Sequence, residues 1–505
     1  MATLIYSTID IASHELSLKI YGFSRHHGIQ ELNHVRHKLP ISSEIYSDGV
    51  ISYQTIEEIC HVLNDFKRIL AEWDARNWQI YATGTLRDAG NALVVIDQIK
   101  IQTGFNVKIL SNSETRFLYY KALALRDPNF HTMIREGTLI VDIGGGSVQL
   151  SIFNEGKLCA TQNLLLGASR IRELLQVMEG EAYDFHALID EYIEKDLFIF
   201  KKLYLNSISI SHIIAVGEMI PEIYYYFKNE KSDFNGKLPH KVLHRGYLPR
   251  SANPQITGLT TPTLLLCRKI SEMTGCEEIT LSQIDLCDSM MAEYAEKKFR
   301  LRSSHDFTED ILSSSRNIAR KYKVDMLHVE NVEKLALQIF DRIRKLHGLG
   351  KRERLFLQIA VILHSCGAYI SEIQSRECSY RIIMSTEIIG ISHKERTLIA
   401  NMVRYNSSAF PRYEELDEDF SREEYITIVK LNAILKTANV LDKSNRHKIK
   451  NVGVTLQDGI LTITADTMED ITLEKGLFHQ KADVFQDVFG IRPMLKQKRS
   501  GGKNE

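Results

Sequence analysis

The sequence predicts an α/β protein with two similar mixed domains in tandem, a helical region after them and a small α+β end. Three observations predict it. Segments 3–21 and 138–153 look like two copies of one strand–turn–strand unit, each with a β-branched run ending in Asp-Ile. Strand-like and helix-like patterns alternate between the copies, as in α/β proteins. From about residue 300 onward, helical spacing dominates and strand signals become few.

In the first copy, Asp10-Ile11 ends the first run, a short turn follows, and Leu16, Leu18 and Ile20 alternate along a second strand. Segment 55–74 sets Ile56, Ile59, Leu63, Phe66 and Leu70 at helical spacing. A strand is expected at 78–83, a helix at 87–103, a strand at 107–110 and a helix at 113–125. In the second copy, Asp142-Ile143 leads into a glycine turn, and Val148, Leu150 and Ile152 alternate after it. Helices follow at 307–323, 328–347, 351–370, 379–389, 392–405 and 421–443, with the acidic stretch 414–419 as a solvated loop. Segment 452–465 reads as a hairpin about Asp458-Gly459, 480–489 as a helix, and 496–505 as a frayed tail. The expected domains are 1–125, 126–300, 301–445 and 446–505.

A chain of 505 residues is too long for one core. Its formal net charge of −1 gives no overall field toward nucleic acid or membrane, so a polyanion site must be a local basic patch. No apolar run is long enough to span a bilayer, and the start lacks the pattern of a signal peptide. The seven cysteines are scattered without a CxxC pair, which suits a reducing cytoplasm.

The strongest chemical signal is Asp142-Ile143-Gly144-Gly145-Gly146-Ser147. Three glycines in a strand-to-strand turn expose backbone N–H groups with no Cβ in the way, so the turn can wrap a phosphate. Ser147 adds a hydroxyl, and Asp142 is placed to hold a Mg2+ that offsets phosphate charge. A tight hairpin with a glycine bulge is the alternative.

The paired Asp-turn-strand units resemble the actin, Hsp70 and sugar-kinase architecture (actin-like, RNase H-like, ASKHA), in which two hairpins clamp phosphates between domains. Ala82-Thr83-Gly84-Thr85-Leu86-Arg87-Asp88-Ala89-Gly90-Asn91 resembles the A-T-x-x-L-R-D-A-x-N motif of exopolyphosphatases. Segment 110–116 resembles their S-G-x-E-E-A-R motif, and Gly167-Ala168-Ser169-Arg170 follows in family order. His364, the 402–405 run and segment 434–444 resemble the family's helical, HD-like domain. The family is that of exopolyphosphatase and guanosine pentaphosphate phosphohydrolase, Ppx/GppA. The resemblance implies Glu114 as general base, with its pKa raised by apolar neighbours. It implies Arg87, Ser13 and Gly144 to Ser147 on phosphate, and Asp142, Asp10 and Gln149 on Mg2+. Arg170 is a weaker candidate. It implies a cytoplasmic homodimer acting on inorganic polyphosphate or guanosine pentaphosphate, with neither nucleic acid nor membrane as partner.

Departures from the family pattern are concentrated at the same places. The first loop, D-x-G-S-N-S in the family, is Asp10-Ile11-Ala12-Ser13-His14-Glu15. Gln149 replaces a glutamate, Val216-Gly217-Glu218 replaces G-G-T, and Leu286-Cys287-Asp288-Ser289 replaces L-R-E-G. Ser365 follows His364 where an HD metal site needs Asp, so His328 and His364 read as core histidines. The leading expectation is a Mg2+-dependent terminal phosphatase, and the alternative is a weakened homologue that binds polyphosphate or alarmone as a sensor. An actin-like ATPase, a sugar kinase and an HD hydrolase fit these residues less well.

Overall fold

The structure is a computed structural model describing residues 4–24, 28–176, 178–181, 183–205, 208–230, 233–243, 254–299, 305–416, 420–449, 451–457 and 459–499. The chain divides into two units, one ending at Asp310 and the other beginning at Ile311.

The first unit holds two sheets built on one plan. Strands β1 (Leu4–Ile11), β2 (Glu15–Ser24) and β3 (Gly28–Lys38) form an antiparallel meander. Strand β4 (Trp78–Ala82) pairs parallel with β1, and β5 (Lys108–Ile109) parallel with β4, giving the order β3-β2-β1-β4-β5. The second sheet repeats this with β6 (Thr138–Ile143), β7 (Val148–Asn154) and β8 (Lys157–Leu164), followed by β9 (His212–Gly217) parallel to β6. Strands β10 (Lys237–Pro239) and β11 (Glu278–Leu281) complete the order β10-β11-β9-β6-β7-β8. Asp10 pairs with Ser17 in one hairpin as Asp142 pairs with Gln149 in the other. The likeness of the two segments is therefore a likeness of topology. Strand β6 is buried along its whole length, which accounts for its unbroken apolar reading.

Each sheet has its own apolar core. Ile9, Leu18, Ile59, Leu63 and Phe66 pack in the first, and Leu139, Val141, Leu150, Ile193 and Leu265 in the second. The chain then returns to the first sheet. Helix Leu286–Phe299 lays Met291 and Ala295 against Tyr6, Tyr21 and Phe23. On the same helix, buried Asp288 accepts hydrogen bonds from Lys19 (3.2 Å), Tyr21 (3.0 Å) and Arg126 (3.0 Å).

Two local expectations for this unit change. The helix expected at 87–103 is broken into Gly84–Asp88 and Ala92–Thr103. At the break, Gly90 N–H donates to Gly49 O at 2.8 Å, and the Asn91 amide bonds both the N–H and the C=O of Ile51. These tertiary bonds replace the intrahelical ones. Strand β5 keeps only the two middle residues of the four expected.

The second unit is helical, with a three-stranded sheet of β12 (Asn451–Gln457), β13 (Ile460–Asp466) and β14 (Pro493–Lys498) in sequence order. Gln457 pairs with Ile460, so the expected hairpin forms, with Gly459 at φ +74° in its turn. Asp458 lies outside the described residues, as do residues 417–419 of the acidic stretch. The tail is ordered further than expected, because Lys496 to Lys498 pair with β13. The last helix, Thr472–Phe489, starts eight residues before the expected 480, where Asp470 accepts from the N–H of Thr472.

Candidate functional site

The ends of the two hairpins come together in the first unit. Asp10 from β1, Thr83, Thr85 and Arg87 after β4, Thr115 and Arg116 from helix Asn112–Arg126, Asp142 with Gly144 to Ser147, and Glu218 after β9 line one cleft of about 50 Å3. The glycine turn is closed by Gly144 N–H donating to Ser147 O at 3.0 Å. It is held from behind by Ala168 N–H to Gly144 O (3.1 Å) and Arg170 N–H to Gly145 O (3.0 Å). Gly167 must be glycine for this approach, since a Cβ there would stand 2.2 Å from Gly145 O. The N–H groups of Gly145 and Gly146 donate to nothing among the described residues. Arg170 stacks over the Tyr46 ring at 5.4 Å, and the Tyr46 hydroxyl lies against Gly146.

The cleft is highly charged, and its Asp142 and Arg116 are buried. Buried Asp142 lies 3.2 Å from the Arg116 guanidinium, which also donates to Ser147 Oγ (3.3 Å) and Asn163 Oδ1 (3.1 Å). Burial nevertheless pushes the Asp142 carboxyl up to about 6, against the pull of Arg116 and with the help of Glu218. Burial also raises Asp10 well above the carboxylate range, reinforced by the charges of Glu218, Asp285 and Glu15, and its Oδ1 has no protein partner. For Glu218, burial acts upward, but hydrogen bonds from His14 and Ser13 outweigh it and the net direction is down. The same contact raises His14, against the effect of its burial.

Not all of the expected site residues meet here. The glycine turn, Ser147, Asp142, Asp10 and Arg87 do. Arg87 donates to Leu110 O (3.1 Å) and Asn112 Oδ1 (2.9 Å) and lies 3.6 Å from Asp88. Ser13 is fully buried and gives its hydroxyl to Glu218. Gln149 gives its amide to Thr161. Glu114 does not line the cleft. Its carboxylate accepts from Ser111 N–H (3.0 Å) and Ser111 Oγ (2.8 Å), completing a capping box, and from Lys108 (2.8 Å). Burial acts upward on Glu114, but Lys108 and Ser111 bring its pKa below the ordinary value, opposite to the expected direction. Successive helical residues turn by about 100°, so Glu114 and Arg116 face nearly opposite ways. Asn112, Thr115, Arg116 and Tyr119 are the members of this helix that reach the cleft. Sequence reasoning singled out none of the four, although the Ser111-x-x-Glu114 spacing already carried the capping signal.

The donor set also bears on Mg2+. This ion requires near-octahedral oxygen ligation. Of its three expected ligands, Asp142 already has a cation in Arg116, and Gln149 contributes an uncharged amide committed on one side to Thr161. Among the described residues Asp10 Oδ1 and Gln149 Oε1 are without partners, and a divalent ion beside Asp142 would stand against the guanidinium. These residues do not fit the ion in the expected way.

A sequence description of the Ppx/GppA phosphatase family matches residues 20–245, and one of its domain III matches residues 312–481. The chain belongs to the Ppx/GppA phosphatase family. It is 22% identical over 413 residues to a guanosine-5'-triphosphate,3'-diphosphate pyrophosphatase of Photobacterium profundum, covering 79% of this chain and 80% of the relative. A protein of the same name from Vibrio vulnificus is 21% identical over 455 residues, covering 85% and 86%. The crystal structure of an exopolyphosphatase from Cytophaga hutchinsonii shares the fold, with TM-score 0.50 and 17% identity over 58% of this chain and 98% of that one. No described helix is long and apolar enough to cross a membrane.

Within the Ppx/GppA framework, the departing residues have defined neighbours. Glu15 turns away from the cleft to Arg36 (2.6 Å), which also holds Glu222 (2.8 Å). In the domain III segment, His328 and His364 are buried as expected. Their Nε2 atoms lie 3.2 Å apart, His328 Nδ1 meets Asp442 at 2.9 Å, and His364 Nδ1 donates to Val361 O at 2.7 Å.

Proposed function

We propose that the chain binds the terminal phosphoryl groups of a phosphoanhydride, inorganic polyphosphate or guanosine pentaphosphate, in the glycine-turn cleft, and hydrolyses them slowly. The observation that carries this reading is Arg116, whose guanidinium lies beside Asp142 and Ser147 at the mouth of a turn with free N–H groups. A guanidinium and backbone N–H donors together match a phosphoryl oxygen set. In this reading Arg116 supplies the cation that a divalent ion would bring, so binding needs no Mg2+. Hydrolysis is slow because Glu114 is turned to Lys108 and its pKa is low, whereas a general base works best with a pKa near the operating pH.

Asp10 favours a second reading, faster hydrolysis of the same terminal phosphate. Its Oδ1 is unpartnered among the described residues and its pKa is raised, as a general base requires. Measuring polyphosphate binding in EDTA beside phosphate release separates the two. The binding reading expects affinity that survives EDTA, falls at least about tenfold in Arg116→Ala, and release untouched by Glu114→Gln. Binding that disappears in EDTA and returns with Mg2+ would overturn it. Rapid release abolished by Asp10→Asn would establish the second reading.

A further inference from the structure

The second unit contains a cavity of about 730 Å3, within the range of roughly 300–1,000 Å3 usual for small-molecule sites. Its floor is polar and buried. His328 and His364 line it, and so does Asn406, which is 5% exposed and has a side-chain Oδ1 without a protein partner. An unmatched buried amide is costly and marks a place where a polar ligand atom is wanted.

The donors on this floor are fixed by what surrounds them. His364 Nδ1 faces a carbonyl and must carry hydrogen, so its Nε2 is an acceptor toward His328. His328 Nε2 faces that acceptor, and its Nδ1 faces the Asp442 carboxylate. Burial, and then His328, lower His364 to about 4, which keeps it neutral.

The rim carries positive charge. Lys323, Arg376 and Lys443 are exposed, line the cavity and form no ion pair among the described residues. Two acids also line it. Asp325 is occupied in capping helix Met326–Arg342 and in pairing with His447, which leaves Glu372 against three cations. Tyr322 and Tyr369 meet at the mouth with ring centroids 6.0 Å apart, and Tyr369 is 62% exposed, offering a flat face. The backbone is strained at the same place. Lys323 and Asn445 line the cavity at φ +54° and +51°, and His447, bonded to Asp442, sits at +53°. Left-handed non-glycine residues cluster at ligand sites because the surrounding structure must hold them there.

We propose that this cavity is a second site, for a nucleoside polyphosphate, with the three cations on its phosphates, a tyrosine face on its base and the Asn406 amide on a polar edge. The experiment is hydrogen–deuterium exchange of the full chain with millimolar GTP, and separately with inorganic tripolyphosphate. GTP should slow exchange in segments 322–328, 364–376, 406–408 and 439–445, and tripolyphosphate should do so at least about tenfold more weakly. Arg376→Glu combined with Lys443→Glu, both at exposed positions, should remove that protection and leave the thermal midpoint unchanged. Absence of GTP protection in these segments, or protection that survives the charge reversals, would overturn the site. Equal protection by tripolyphosphate would overturn its assignment to a nucleoside.

Discussion

Replacing Arg116 with methionine keeps the stem and deletes the charge beside Asp142. Asp142 is 5% exposed and titrates at about 6 even with the guanidinium present, so its ionised form is already unfavourable in the folded state. The gap of about two pH units from the ordinary 3.8, at 1.36 kcal/mol each, amounts to about 3 kcal/mol. Its sign follows from proton uptake: the folded state binds the proton more tightly, so this contribution is present below pH 3.8 and is lost as pH rises through 6. Without Arg116 the carboxylate is buried with no cation, and breaking such a pair costs about 3–5 kcal/mol. The cost of Arg116→Met should therefore be large at pH 8 and small at pH 5, where Asp142 is protonated with or without its partner. Both tryptophans, Trp73 and Trp78, lie in the first unit, so urea unfolding followed by tryptophan fluorescence reports that unit. Adding Asp142→Asn to Arg116→Met should recover most of the loss at pH 8. An equal cost at both pH values, or a double variant as unstable as the single one, would refute the assignment of Arg116 as the cation of Asp142.

Three further outcomes follow from the geometry. Gly167→Ala would put a Cβ 2.2 Å from Gly145 O and 2.3 Å from Ser147 N, so it should displace the glycine turn, cost about 1–3 kcal/mol and abolish polyphosphate binding by calorimetry. His14→Ala leaves Glu218 buried without its partner; because His14 is raised by that contact, the cost should be full below pH 6.5 and fade as pH rises through the folded value, measured by denaturation against pH. Lys436 is 3% exposed, and burial, with the charge of Lys481, lowers it to about 8, so the folded state sheds its proton first; stability should rise by up to about 3 kcal/mol between pH 8 and 10.5, and Lys436→Met should flatten that rise.

The fold was largely readable because its signals are local and repeated. Asp10-Ile11 and Asp142-Ile143 each end a strand whose partner alternates, and both hairpins form at those residues. The return of helix Leu286–Phe299 to the first sheet was not readable, because its burial depends on Tyr6, Tyr21 and Phe23, more than 260 residues away in sequence. The break at Gly90 depends in the same way on Gly49 and Ile51. At the site, the glycine turn carries its own signal, since no other residue type exposes the backbone so closely. The role of Glu114 was decided instead by helical phase. Its position relative to Ser111 makes it a cap, and the neighbouring Lys108 completes its bonding.

The departures from the family pattern are answered by one another. Glu218, where the family has a small polar segment, meets His14, which stands at an asparagine position of the first loop. Glu15, where a serine is usual, meets Arg36, and Arg36 also takes Glu222. Unrelated substitutions would leave such acids without partners, and a buried unpaired charge costs on the order of several kcal/mol. Here Glu15 and Glu222 each lie within 2.8 Å of Arg36, and Glu218 lies 3.3 Å from His14. Arg116 stands at the arginine of the S-G-x-E-E-A-R motif, so it keeps the family residue; its charge faces Asp142, while Gln149 across the hairpin carries none. In the proposed reading, with no carboxylate at Gln149, the Arg116 guanidinium beside Asp142 is the fixed cation that a bound phosphate meets.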